Sequence, residues 1–157
     1  MKQAGKHQWA IRRATHEDSE LITRFHRNQN RPNRSDSVAS EYFIAEVSGD
    51  IVGCAATRLT DGLGYFYGLA VDKAWRRRGI GHDLTRCALD WLRNRGATST
   101  FTLVMFWNIR FFKRHGFELA DRRTKQDLNG LHQDFTDKWS VRSVLLVIDF
   151  NQTKSSI

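Results

Sequence analysis

The stretch of this chain best suited to chemistry is Leu69-Ala70-Val71-Asp72-Lys73-Ala74-Trp75-Arg76-Arg77-Arg78-Gly79-Ile80-Gly81. Three consecutive arginines run into two glycines spaced two apart, between a β-rich run and a run with helical spacing. The first N–H groups of a helix have no partner inside it, carry partial positive charge and point outward, so they receive an anion well. Glycine lets the backbone come close to such a guest because no Cβ intervenes. Successive loop amides can form an anion nest, and arginine adds charge-assisted hydrogen bonds. A pyrophosphate is the natural ligand. A bare Arg-Gly-Ile-Gly would read equally as an ordinary strand-to-helix turn with exposed arginines; the lead-in strand and the helix after the loop favour the anion site. His82, just after Gly81, is placed either to touch a phosphate or to sit as a plain exposed residue of the first turn. Tyr65 and Tyr67 stand on the lead-in strand, as orienting groups for substrate or water or as core aromatics. Glu46 offers a base, and a solvent-facing strand position explains it as well.

Elements must hold this loop in place. Trp9 to Arg13 reads as a first strand. Thr15 is a natural N-cap, with Glu17, Asp18 and Glu20 in the first turn and Leu21, Ile22 and Phe25 on one face, so a helix runs to about Arg27. Tyr42 to Val47 and Ile51 to Leu59 flank Ser48-Gly49-Asp50, a hairpin signal. Leu63 to Val71 is a strand after the turn Thr60-Asp61-Gly62. Ile80, Leu84, Ala88, Trp91 and Leu92 recur at helical spacing, and Gly96 after Arg93 and Arg95 stops that helix. Next come a strand from Phe101 to Met105, a short helix from Asn108 to Arg114 closed by Gly116, a strand start at Phe117 to Ala120 and a last strand from Val141 to Phe150. The order β-α-β-β-β-α-β-α-β-β predicts an α+β domain, a mixed sheet with helices packed on it.

With 157 residues, 40% apolar and 27% charged, the chain has the size and composition of one globular domain spanning 1–157. Cys54 and Cys87 lie far apart in apolar runs, as small buried hydrophobes would. Residues Met1 to Gln8 hold no apolar run of the secretory kind, and no segment is apolar and long enough to cross a bilayer, so the cytoplasm is the expected compartment. A net charge of +8 suits a phosphate-rich small ligand, nucleic acid, or a merely solvated basic surface.

Two motifs carry a resemblance. Arg76-x-x-Gly79-x-Gly81 after Leu69-Ala70-Val71 resembles the acyl-CoA signature of the GCN5-related N-acetyltransferases, and Ile109-Arg110-Phe111-Phe112-Lys113-Arg114-His115-Gly116-Phe117 resembles that family's aromatic pair followed by Gly-Phe. The resemblance covers nearly the whole chain. It implies an α/β/α fold: a mostly antiparallel mixed sheet with a central splayed parallel pair and helices on both faces. It implies acetyl-CoA as cosubstrate and a small-molecule amine as partner, with no metal. The backbone of Arg76, Arg77, Arg78, Gly79, Ile80 and Gly81 would hold the pyrophosphate, with His82 and Phe112 nearby. Leu69 and Val71 would pair with the pantetheine arm, and a strand N–H, of Leu69 or Ala70, would polarise the thioester carbonyl.

The chain also departs from the pattern. Lys73 replaces a frequent Pro, and Met105 a frequent Asn. Phe112 replaces the Tyr that in many members protonates the leaving thiolate, and Tyr65 stands where some place a Glu base. Proximity of amine and thioester, with a water chain for the proton, would carry the reaction instead. The short connection from Phe101-Thr102-Leu103-Val104 to Phe111-Phe112, with Trp107 nearby, is most similar to the amino-acid acetyltransferase branch, of which the acetylglutamate synthases are members. His115, at a helix end, reads as a C-terminal cation. His132 and Asp134 read as metal ligands less readily than as a polar loop; in the family that region shapes the acceptor pocket or a dimer contact, so a homodimer joins the expectations. The competing function is a catalytically weak module of the same fold, binding CoA, nucleic acid or an acidic partner through Arg12, Arg13, Arg76 to Arg78, Arg122 and Arg123. No helix-turn-helix or RNA-binding signature supports nucleic acid.

Overall fold

A computed structural model describes residues 8–29, 40–125 and 143–152. Seven strands form one sheet in the order β1-β2-β3-β4-β5-β7-β6: β1 Ala10–Arg13, β2 Glu41–Val47, β3 Asp50–Thr60, β4 Leu63–Val71, β5 Ser99–Met105, β6 Glu118–Leu119 and β7 Ser143–Asp149. Between them, among the described residues, run the helices α1 Ser19–Asn28, α2 Ile80–Asn94 and α3 Ile109–Lys113. The sequential order of elements is the one expected, and the mixed sheet with its β4–β5 parallel pair is the expected α+β architecture. The chain divides into two compact units, one of residues up to Arg58 with Phe66–Trp91, the other of Leu59–Tyr65 with residues from Leu92 onward.

In the first unit β1, β2 and β3 are antiparallel, and the β2–β3 register shifts between Ala45 and Glu46. The hairpin turn carries positive φ at Ser48 (50°) and Gly49 (84°), the left-handed pair that matches strand twist in a two-residue loop. The first helix begins differently from expectation. His16–Asp18 form a 3-10 turn, and α1 starts only at Ser19. Asp18 is the reason: its carboxylate turns back to accept the Thr15 amide at 2.7 Å, which tightens that first turn. Ile22 and Phe25 of α1 pack with Ile44, Cys54 and Ala70 in a buried cluster. α2 is anchored by Ile80, Leu84 and Ala88, each no more than 1% exposed. β3 approaches so closely that a Cβ on Gly53 would stand 3.0 Å from the Ile80 side chain.

In the second unit Leu63, Gly64 and Tyr65 pair in parallel with Ser99, Thr100 and Phe101. Antiparallel pairing joins β5 to β7 and β7 to β6. The turn after Asn94 ends α2 as Gly96 implied, with φ 92° there and the Ala97 amide donating to the Leu92 carbonyl at 3.0 Å. The expected helix over Asn108 to Arg114 is a 3-10 turn at Phe106–Asn108 followed by α3. Both cysteines are free thiols, Cys54 buried and Cys87 partly so. Burial pushes the Cys87 thiol up from its ordinary value, with the Asp90 charge adding to the effect. Among the described residues no helix is long and apolar enough to cross a membrane.

Candidate functional site

β4 delivers the chain to the candidate site. Its middle is buried, and Gly68 inside it has φ +67°, a left-handed residue in the interior of a strand. Such a residue kinks a strand locally and re-aims the residues beyond it. Leu69, Ala70 and Val71 therefore leave the kink together, with Ala70 buried and Leu69 and Val71 half-buried. This kink went unnoticed in the sequence, although an isolated glycine within a strand pattern is the signal that marks it.

After Val71 the Asp72 amide donates to the Val52 carbonyl at 2.7 Å, and the Asp72 carboxylate caps the Ala74 amide at 2.9 Å. These bonds fix the exit of the strand. Arg77 then has φ +63° and Gly79 φ +103°, two left-handed residues separated by one. Beyond glycine this conformation is costly, so Arg77 is held there by its neighbours. The first bond of α2 runs from the Asp83 amide to the Gly79 carbonyl at 3.0 Å. The amides of Ile80 and Gly81, and of the loop before them, lie ahead of the helical ladder. They meet the electrostatic requirement for an anion at the start of a 15-residue helix.

The arginine side chains do something the sequence did not disclose. Arg76 Nε donates to the Val71 carbonyl at 3.0 Å, and its Nη2 to Gln29 Oε1 at 3.5 Å. Arg78 lies over the Trp75 ring at 4.6 Å and donates to Gln8 Oε1 at 3.3 Å. Two of the three guanidinium groups thus brace the loop, while their charge stays exposed beside it. Trp9 Nε1 donates to Asp83 Oδ2 at 2.9 Å, tying β1 to the first turn of α2. This tie spans 74 residues of sequence, so no local pattern could reveal it. His82 lies on the same first turn, exposed.

The candidate catalytic side chains each engage partners of their own. Tyr65 is buried and stacks on Phe101, ring centroids 4.7 Å apart. Tyr67 is buried, its hydroxyl shares a short hydrogen bond with Ser40 Oγ, and the Arg58 guanidinium lies 5.7 Å from its ring centre. Glu46 accepts from Arg12 Nη2 at 2.8 Å, and Arg12 grips Asp18 with both nitrogens at 2.8 Å. Arg12, and after it the Thr15 amide, hold the Asp18 carboxyl well below the usual carboxylate range. Asp18 and then Glu46 raise Arg12 above its ordinary value. Glu46 therefore sits in an ion-pair network that joins β1, β2 and the turn before α1. Phe112 is 6% exposed and meets Phe111 and Phe117 edge-to-face at 5.0 and 5.7 Å, a core position in the second unit. His115 ends that turn, its ring 5.1 Å from Phe111. His132 and Asp134 lie outside the described residues. Among the described residues no three His, Cys, Asp or Glu side chains group as metal ligands.

Known proteins resemble this chain in sequence or in fold. An uncharacterized N-acetyltransferase of Chlorobaculum tepidum is 34% identical over 83 residues, which is 52% of this chain and 52% of that protein. The match thus spans about half the length of this relative. A Mycobacterium tuberculosis protein solved with CoA superimposes with a TM-score of 0.71 at 22% identity, covering 89% of this chain and 98% of that one. The N-acetylglutamate synthase of Neisseria gonorrhoeae, solved with coenzyme A and L-arginine, superimposes with a TM-score of 0.68 at 25% identity over 92% of this chain and 34% of that one. Residues 4–117, which contain β4, the glycine-arginine loop, α2 and the Phe111–Phe117 segment, match the acetyltransferase (GNAT) family, and the chain belongs to that family.

Proposed function

We propose that this protein is an acetyl-CoA-dependent N-acetyltransferase that acetylates a primary amine of a small molecule, with amino acids as the first class of acceptor. The observation that carries the reading is the loop Arg76–Gly81, with left-handed Arg77 and Gly79 and α2 opening behind it. The residues present fit a pyrophosphate: amides ahead of a long helix, no side chain at 79 or 81, and the exposed cationic residues Arg76, Arg77 and Arg78 beside them.

Acetyl-CoA, when bound, supplies the acetyl thioester as electrophile. The amides of Arg76 to Gly81 hold the diphosphate, and the side chains of Arg77 and His82 contribute beside it. Leu69 and Val71 offer backbone groups to the pantetheine arm. The Leu69 or Ala70 N–H, aimed by the Gly68 kink, polarises the carbonyl and stabilises negative charge as the amine attacks. Tyr65 and Tyr67 orient acceptor or water. Phe112 has no proton to give, so the thiolate leaves as the anion, and the amine proton passes to water. Positioning then supplies most of the acceleration. The whole chain acts as one catalytic domain, with the cytoplasm as compartment and a homodimer as assembly.

Isothermal calorimetry with acetyl-CoA, followed by thiol release against a panel of amino acids and simple amines, tests this. Binding with turnover on an amine is the expected result. Absence of acetyl-CoA binding would falsify the reading and bring forward the basic-module alternative, checked by salt-dependent binding to DNA and RNA.

A further inference from the structure

Behind the strand kink lies a polar thread in an otherwise apolar cluster. Cys54, on β3, is fully buried among Ile22, Phe25, Ile44 and Ala70. Its sulfur lies 3.4 Å from His26 Nε2, on α1, and 3.8 Å from the carbonyl oxygen of Gly68. These three groups can satisfy one another in one direction. Imidazole Nε2–H donates to sulfur, and the thiol S–H donates to the carbonyl. The carbonyl at the end of the thread belongs to the residue with φ +67°. A residue in that conformation is held by its surroundings, and the amide on the far side of its carbonyl is that of Leu69.

We propose that His26 and Cys54 are positioning residues, forming a thread His26 Nε2–H to Cys54 S–H to the Gly68 carbonyl that sets the kink in β4 and so aims the Leu69 and Ala70 amides at the reacting carbonyl. The inference rests on the acetyltransferase reading of those two amides. S–H hydrogen bonds are weak, so the thread contributes direction more than stability. Direction is what matters at a reacting centre, where a misplacement of about 1 Å can cost about a hundredfold in rate.

The test separates aim from stability. Cys87→Ala leaves Cys54 as the one thiol, and its S–H stretch is read by Raman spectroscopy in the full chain. The stretch is expected at the low frequency of a hydrogen-bonded thiol and to change in His26→Leu. Cys54→Ala removes the donor but buries no new polar group. It is expected to lower kcat about tenfold with little change in acetyl-CoA affinity, because the phosphate loop is untouched. Cys54→Ser keeps the donor while burying a more demanding hydroxyl. It is expected to keep kcat within about threefold of wild type while melting lower than Cys54→Ala. A purely structural cysteine would instead make activity follow melting temperature across the variants, and that ranking overturns the proposal. So does a Cys54 stretch at the frequency of a free thiol. If the wild type binds acetyl-CoA but turns over nothing, or does not bind it, the acetyltransferase reading fails, and the Raman result decides the thread alone.

Discussion

Two segments of this chain look equally like family hallmarks in sequence, and they differ in which part of the polypeptide carries the function. In the proposed reading the loop Arg76–Gly81 would work through its backbone. Its amides stand ahead of the α2 ladder, and the side chains of Arg76 and Arg78 are turned to Val71, Gln29, Trp75 and Gln8 as braces. The segment Phe111–Phe117 would have to work through a side-chain hydroxyl, and position 112 holds a phenylalanine packed against Phe111 and Phe117. A backbone-borne function needs the conformation rather than a reactive side-chain atom, and at Gly79 that conformation favours glycine. A side-chain function ends when the one reactive atom goes. On the proposed reading phosphate binding would rest mainly on the backbone of the loop, and the chemistry is expected to run without a protein acid at position 112.

The strongest blow to the backbone side of the comparison is Gly81→Glu. A carboxylate beside the amides should lower acetyl-CoA affinity by about a hundredfold or more, because like charges brought together cost several kcal/mol. Unchanged affinity in calorimetry would remove the phosphate assignment. Gly79→Ala is subtler. At φ +103° an added Cβ meets little, the nearest atom being in Trp9 at 3.9 Å, so the cost is conformational. A strain of about 1–3 kcal/mol should weaken binding roughly tenfold or lower the melting temperature, and either is read directly.

Phe112→Tyr sharpens the other side. The new hydroxyl enters a position only 6% exposed, so stability should fall by about 1–3 kcal/mol while kcat stays within about twofold. A tenfold rise in kcat would mean that a side-chain acid can be restored there, and the contrast between the two segments would collapse. The smallest effect lies in neither segment and serves as their control. Asp18 is depressed in the fold, so the stability it contributes is fully present above its unfolded value of about 3.9 and is lost as pH falls through the folded value. Asp18→Asn should flatten the acid limb of a denaturation series between neutral pH and about pH 2 while leaving acetyl-CoA affinity alone. An equally steep acid limb in the variant would assign that pH dependence to other carboxylates.

Much of this was legible because it is written locally. The period of Ile80, Leu84, Ala88 and Leu92, the Ser48-Gly49 turn and the Gly96 stop each encode their element within a few residues. Boundaries moved where a side chain bonded its own backbone, as Asp18 does to Thr15. The features that stayed hidden depend on partners far along the chain. Nothing near Glu46 signals that Arg12 will claim it, and nothing in Arg76-Arg77-Arg78 tells the bracing arginines from the one with the left-handed backbone. The Gly68 kink lay between these cases, visible as a glycine within a strand but given meaning by Cys54 and His26 on other elements.

The stacking of Arg78 on Trp75, 4.6 Å from guanidinium to ring centre, carries a practical consequence. An indole next to a cation emits according to how closely the charge sits on its face, and this indole belongs to the turn that leads into the loop. The protein is thus built with an optical probe at the place where a phosphate would arrive. Titrating it while watching tryptophan emission, with Trp75→Phe as the reference that keeps the other four tryptophans, should report occupancy of the loop without any label and before any acceptor has been found.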